Sequence, residues 1–183
     1  PMALVLCVGH AVQDFVFGVD ALPTRGEKYR ATAFDTVGGG PAATAAVAIA
    51  RLGGRARLAA RLGEDAVADV VVAELDRYGV DCSLVRRHAG RTTSLSAVML
   101  DPAGERMIVN YLDPSLPRDP AWLPHPEAIG AGAVLGDVRW PEGSAHALAR
   151  ARAAGIPAVL DADPPVPKDG ALLRAASHAA VSA

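Results

Sequence analysis

Residues 3–9 (ALVLCVG) contain no polar side chain. A run this short and this apolar fits a strand buried on both faces, and such strands belong to parallel sheets covered by helices on each side. Each parallel neighbour then needs a crossover, and the sequence supplies helices at the required places. Residues 42–52 are Ala-rich, with Val47, Ile49 and Leu52, and Gly53-Gly54 stops them. A strand is expected at 56–61. Residues 66–78 then set Val67, Val70, Val71, Leu75 and Tyr78 at helical spacing, with Gly79 as the C-terminal stop. After residue 133 the alternation returns: strand 133–135, helix 142–154 closed by Gly155, strand 156–160, short helix 170–176 and strand 178–182.

Two stretches interrupt that order. Residues 15–20 and 28–36 are rich in aromatic and β-branched residues across a turn-forming Leu22-Pro23-Thr24-Arg25-Gly26, and 93–100 and 106–111 flank Asp101-Pro102-Ala103-Gly104, a hairpin signal. Both read as antiparallel pieces that fit the parallel sheet poorly, so the insertions 15–36 and 91–112 are expected to form a separate small β layer. The 113–126 segment carries five prolines and reads as a surface connection.

Composition narrows the function. The 183 residues are 51% hydrophobic and 21% charged with net charge -2. That excludes a disordered chain, and a chain of this size buries roughly 70% of its unfolded surface. Eighteen basic against twenty acidic residues leave no excess for a phosphate backbone, so nucleic acid is not an expected partner. No apolar stretch approaches the ~20 residues that span a bilayer. Two cysteines are too few for a disulfide framework; Cys7 is expected to be a buried inert thiol and Cys82 to lie in a turn, as suits a reducing cytosol. Five histidines show no metal-ligand spacing, and Arg86-Arg87 reads as a solvated loop pair.

Three features could carry chemistry. Gly38-Gly39-Gly40-Pro41 stands directly before a helix, where glycines let a ligand approach the backbone and proline suits the first turn. A ligand site at that helix N-terminus and a plain tight turn account for it equally. The run lacks the Gly-Lys-Ser/Thr ending of a phosphate-binding loop, and its place after a polar strand disfavours a dinucleotide fingerprint. Asp14 and Asp137 each follow the C-terminal end of an apolar strand, where open α/β sheets bind ligands, and a carboxylate there can accept hydrogen bonds from two sugar hydroxyls. A solvated loop Asp is the competing reading for Asp14.

The order of further motifs points to a family. Gly38-Gly39 entering a helix that ends Arg51-Leu52-Gly53, then Leu62-Gly63-Glu64-Asp65, then Tyr78-Gly79-Val80-Asp81, resembles the ribokinase-like (PfkB) carbohydrate kinases along the whole chain. Gly104-Glu105-Arg106-Met107-Ile108-Val109 and Asp113-Pro114-Ser115-Leu116-Pro117 are most similar to ketohexokinase-like members. The resemblance implies a Rossmann-like, mostly parallel α/β sheet with helices on both faces and a β-sheet lid. It implies transfer of the ATP γ-phosphate to a hydroxyl of a small sugar, ketohexose-like, with ATP and Mg²⁺ as cofactors. Asp14, Gly38, Gly39 and Gly40 fall on sugar-contacting positions, Arg106 on a lid arginine and Asp137 on an acidic residue near the sugar. Ala43 stands where the family often has Asn.

The same resemblance implies an absence. The family's catalytic Asp lies in Gly-Ala-Gly-Asp, which does not occur here; Ile129-Gly130-Ala131-Gly132-Ala133 lacks the Asp and leads into a strand. Residues 1–183 are therefore expected to be the N-terminal part of a kinase domain, carrying the sugar-binding half and lid, with no catalytic residue, no metal site, the ATP-binding part beyond residue 183 and no activity alone. A cytoplasmic location and a homodimer through the lid are further implications. A non-catalytic sugar-binding fragment and a nucleoside kinase of the same fold are the alternatives.

Overall fold

The computed structural model describes residues 3–168 and 170–181. In chain order these form β1 (Leu4–Gly9), β2 (Val12–Gly18), β3 (Ala33–Gly39), α1 (Pro41–Arg51), β4 (Arg55–Gly63), α2 (Ala66–Arg77), β5 (Asp81–His88) and β6 (Leu95–Leu100). There follow β7 (Arg106–Tyr111), β8 (Ala131–Asp137), α3 (Pro141–Ala153), β9 (Ala158–Asp161), α4 (Ala171–Ala175) and β10 (His178–Ala180). Among the described residues, six strands make one sheet in the order β10-β9-β8-β1-β4-β5, every pair parallel.

β1 runs through the middle, which is why its residues are apolar on both faces. Leu6 and Val8 face a core closed by Trp140, Leu148 and Leu172 of the α3 and α4 side, whereas Cys7 faces Ala42, Ala46, Val71 and Leu75 of α1 and α2. Side chains alternate along a strand, so one seven-residue run serves two cores. The thiol of Cys7 is fully buried, and burial pushes its pKa up to about 12, which leaves it protonated and inert. The helices begin and end where the sequence signals lie. Pro41 opens α1, and Asp65 caps α2 by accepting the Ala68 N–H at 2.9 Å.

The second sheet has the order β3-β2-β6-β7 among the described residues. Both expected insertions are in it, as the separate β layer anticipated from their sequence. The strands are not the expected ones throughout: β2 and β3 span 12–18 and 33–39 instead of 15–20 and 28–36, so Gly38 and Gly39 lie in a strand and not in the turn ahead of the helix. The two antiparallel pairs join through a parallel pairing of β2 with β6.

Two expectations fail at β5, a strand the sequence did not reveal. Cys82 lies within it, half-buried, not in a turn. Arg86 and Arg87 are strand residues with partners: Arg86 stacks over Trp122, 4.2 Å from the ring centroid, and Arg87 pairs with Asp69. The final strand covers 178–180; Val181, expected to continue it, lies outside the strand, and Ser182 falls outside the described residues.

Candidate sugar-binding cleft at the sheet switch point

α1 follows β1 through the small sheet and packs on one face of the large sheet, while α3 follows β8 on the other. The direction of winding therefore changes between β1 and β8, and their carboxyl ends open a crevice. His10 leaves β1 there, and Asp137 ends β8. They are joined directly: the His10 N–H donates to Asp137 Oδ2 at 2.7 Å.

Asp137 is built into the wall of this crevice. It is fully buried, its Oδ2 also accepts the Ala42 N–H of α1 at 3.1 Å, and its Oδ1 accepts the Arg139 N–H at 2.8 Å. Burial pushes its pKa up, opposed by the backbone N–H groups of His10, Arg139, Ala42 and Trp140, which favour the ionised form. The structure thus places a protein carboxylate at the helix N-terminus where the sequence left a ligand site and a tight turn open, and Asp137, expected near the sugar, has no exposed surface here. Gly40 belongs to the same brace. Its φ of 94° and a Cβ that would lie 2.5 Å from the His10 carbonyl oxygen admit no side chain.

Asp14 is different. It lies half-buried on β2, opposite Val37 of β3 and level with Ser96 of β6, which is level in turn with Asn110 of β7. Laterally paired residues project from the same face, so Asp14, Ser96 and Asn110 form one polar row across the small sheet. Gly39 is on that face too: a Cβ there would meet Asp14 Oδ2 at 2.4 Å. Gly38 faces the opposite way, toward Glu74 of α2.

The polar row connects to the large sheet through a chain of hydrogen bonds. Asn110 Nδ2 donates to Ser96 Oγ at 3.0 Å and to Ser94 Oγ at 3.3 Å, and Ser94 Oγ stands 3.2 Å from His10 Nε2. Burial, with Arg139 and Arg61 nearby, lowers the His10 pKa to about 4 against the pull of Asp14. The ring is neutral at physiological pH. A neutral imidazole, a carboxylate, an amide and a glycine backbone thus lie close together where the small sheet meets the end of β1, a set suited to hydroxyl groups.

The chain entering β6 is tied to the end of β4 at the Gly63–Asp65 landmark. A Cβ on Gly63 would lie 2.2 Å from the Arg91 carbonyl oxygen, and Asp65 accepts both the Thr93 N–H and the Thr93 hydroxyl at 2.7 Å. Burial raises the pKa of Asp65, but these Thr93 bonds and the cap outweigh it, and the carboxyl lies below its ordinary value. Arg106 opens β7. It is exposed and pairs with Leu100, four residues along β7 from Asn110, about 13 Å at the usual rise per residue.

His10, Ser94 and Asn110 escaped the sequence reading. The signal for His10 was its place directly after the first buried strand; for Asn110 it was the two-residue alternation from Arg106, which puts both on one face and only Asn110 near the sheet. A separate cavity of about 210 Å³ opens beside Gly38 and Gly39, walled by Ala43, Val47, Val71, Glu74 and Leu75. Its walls are mostly apolar and exclude Asp14 and His10, so the polar chemistry lies on the other side of β3.

A family profile described as pfkB family carbohydrate kinase matches residues 2–182. The chain belongs to the pfkB family. Among pfkB relatives it is similar to fructokinase-1 of Oryza sativa subsp. japonica, 38% identical over 112 residues that cover 61% of this chain and 33% of the rice enzyme. Ribokinase of Arabidopsis thaliana is 29% identical over 174 residues, 90% of this chain and 46% of that protein. A solved structure from Agrobacterium tumefaciens, whose assignment as a ribokinase is provisional, superposes with TM-score 0.90 at 35% identity, covering 99% of this chain and 60% of that one. The Arabidopsis ribokinase complexed with ribose and ATP gives TM-score 0.78 at 26% identity, with 99% and 60% covered. The chain thus spans a third to under half the length of these two curated relatives.

Proposed function

We propose that this chain is the acceptor-binding part of an ATP-dependent sugar kinase, with a ketohexose-like substrate, and that 15–36 and 91–112 form its lid. One observation carries the reading: Asp14 and Gly39 share a lid face with Asn110, above the switch point of a parallel sheet. In the proposed complex, Asp14 accepts hydrogen bonds from two neighbouring hydroxyls and fixes the sugar's rotation. Gly39 lets the ring approach the backbone, and the Oδ1 of Asn110, whose Nδ2 is already given to Ser94, Leu95 and Ser96, offers a further acceptor. Such positioning brings the reacting hydroxyl into line for transfer and limits competing water.

ATP supplies the phosphoryl group when bound. Gly-Ala-Gly-Asp is absent from the sequence, and we assign the base that takes the hydroxyl proton to no residue of this chain. Among the described residues no group of three or more His, Cys, Asp or Glu could hold a metal, so no Mg²⁺ ligand is assigned either. We place the protein in the cytoplasm, a reading supported by two free thiols, and infer a homodimer through the lid, supported by the exposure of Phe34, Ile108, Val109 and Tyr111.

The test is the full-length gene product with ATP and a panel of ketohexoses, aldopentoses and nucleosides, with Asp14→Asn beside it. Phosphorylation of a ketohexose, reduced at least tenfold by the substitution, is expected. No phosphorylated product from any panel member would refute the kinase reading, and nucleosides as sole acceptors would replace the sugar.

A further inference from the structure

The cavity of about 210 Å³ beside Gly38 and Gly39 differs in chemistry from the Asp14 row. α2 contributes Val71, Glu74, Leu75 and Tyr78, whose spacing of three, four and seven residues puts them on one face of the helix, and α1 contributes Thr44 and Val47. Among the described residues Glu74 alone brings charge to the lining. Its carboxylate lies against β3: a Cβ on Gly38 would stand 3.0 Å from Oε2 and 3.3 Å from Oε1, so a side chain at 38 would crowd it. Glu74 is half-buried and makes no ion pair among the described residues. It also stands in the last turn of α2, where the helix dipole favours a positive charge.

A carboxylate without a cation, apolar walls and an aromatic ring one helical turn away are the parts of a site for an organic cation. A metal ion fits poorly, because it needs several oxygen ligands and the lining supplies one carboxylate. The volume equals about seven water molecules at ~30 Å³ each, which is too little for a nucleotide and enough for an amine of about four or five carbons. We propose that this cavity is a second small-molecule site, separate from the acceptor site, and that it takes a primary aliphatic amine. The ammonium group meets Glu74, and the hydrocarbon chain lies against Val47, Val71 and Leu75. Gly38 faces Glu74 and Gly39 faces Asp14, so β3 stands between amine and acceptor and the two do not exclude each other. Amine binding involves no phosphoryl transfer, so the site stands whether or not the chain is part of a kinase.

Saturation-transfer NMR and calorimetric titration of the full-length protein with n-butylamine, n-butanol and butyrate test the site, since the three probes share a chain length and differ in charge. n-Butylamine is expected to bind about tenfold more tightly than n-butanol, and butyrate more weakly than either. Glu74→Gln should reduce n-butylamine affinity about tenfold and leave n-butanol unchanged. Val47→Phe fills the cavity and should abolish binding of both. Glu74 is half-buried, so its variant should keep the wild-type melting temperature even where Val47→Phe does not fold. Saturating fructose should leave n-butylamine binding unchanged. Absence of n-butylamine binding, equal affinity for amine and alcohol, binding untouched by Glu74→Gln, or displacement of the amine by fructose would overturn the proposal.

Discussion

The two sheets are made of similar residues and hold together differently. In the large sheet, β1 and β4 are buried almost throughout between two cores, one on the α1 and α2 side and one on the α3 and α4 side. In the small sheet, β3 and β7 are exposed along nearly their whole length, and the exposed Phe34 ring pairs with the Phe15 and Phe17 rings. The large sheet derives its stability from burial, whereas the small sheet depends on backbone pairing and on the hydrogen bonds between Asp65 and Thr93. That division suits a scaffold carrying a cover, because regions with few buried contacts open at low cost.

The sharpest way to break the comparison is to remove buried volume from each sheet in turn. Trp140→Ala, at a fully buried side chain, should cost about 3–5 kcal/mol in denaturant unfolding of the full-length protein. A loss below about 1 kcal/mol would mean that the large sheet does not depend on its core in this way.

Acid gives the next largest effect. His10 has a pKa of about 4 in the folded state, below the ordinary 6.5, so between these values the unfolded chain binds more protons. Stability should fall as pH drops through that window, by up to about 3 kcal/mol for this residue. His88 and His146 shift in the same direction, chiefly by burial. Unfolding curves for wild type and His10→Asn between pH 7 and pH 4 (about one unit steps suffice) isolate the His10 share; identical slopes would contradict its burial at the cleft.

Asp65→Ala removes the α2 cap and the Thr93 bonds together, and about 1–2 kcal/mol is expected. Hydrogen exchange should rise in β6 more than in β1; an equal rise in both would show that Asp65 acts on the helix alone. Val109→Ala, at a residue 62% exposed, should change stability by no more than about 0.5 kcal/mol in a monomer. A larger loss that depends on protein concentration would instead reveal a lid buried against a second copy.

The same division explains what could be read from the sequence. The large sheet was legible because burial on both faces writes itself as uninterrupted apolar runs, as in residues 3–9. β5 was not: residues 81–88 (DCSLVRRH) form a sheet edge, exposed or half-buried, where polar residues carry no periodic signal. The lid was legible as a layer but not in its limits, because Gly38 and Gly39 read as a turn while pairing as strand. Around the candidate site, Asp14 could be singled out as a candidate from its place after a strand. The burial of Asp137 could not, because it depends on N–H groups from His10 and Ala42, distant in sequence. Asn110 emerged only when register set it level with Asp14.

The central claim is that Asp14, under the lid, holds the acceptor of an ATP-dependent phosphoryl transfer. Steady-state phosphorylation by the full-length gene product, wild type against Asp14→Asn, tests it most directly. The prediction is turnover of a ketohexose, with kcat/KM for the variant down about tenfold to hundredfold and an unchanged melting temperature. Equal kcat/KM for the two proteins, or no ATP-dependent turnover by wild type with any sugar, would contradict it.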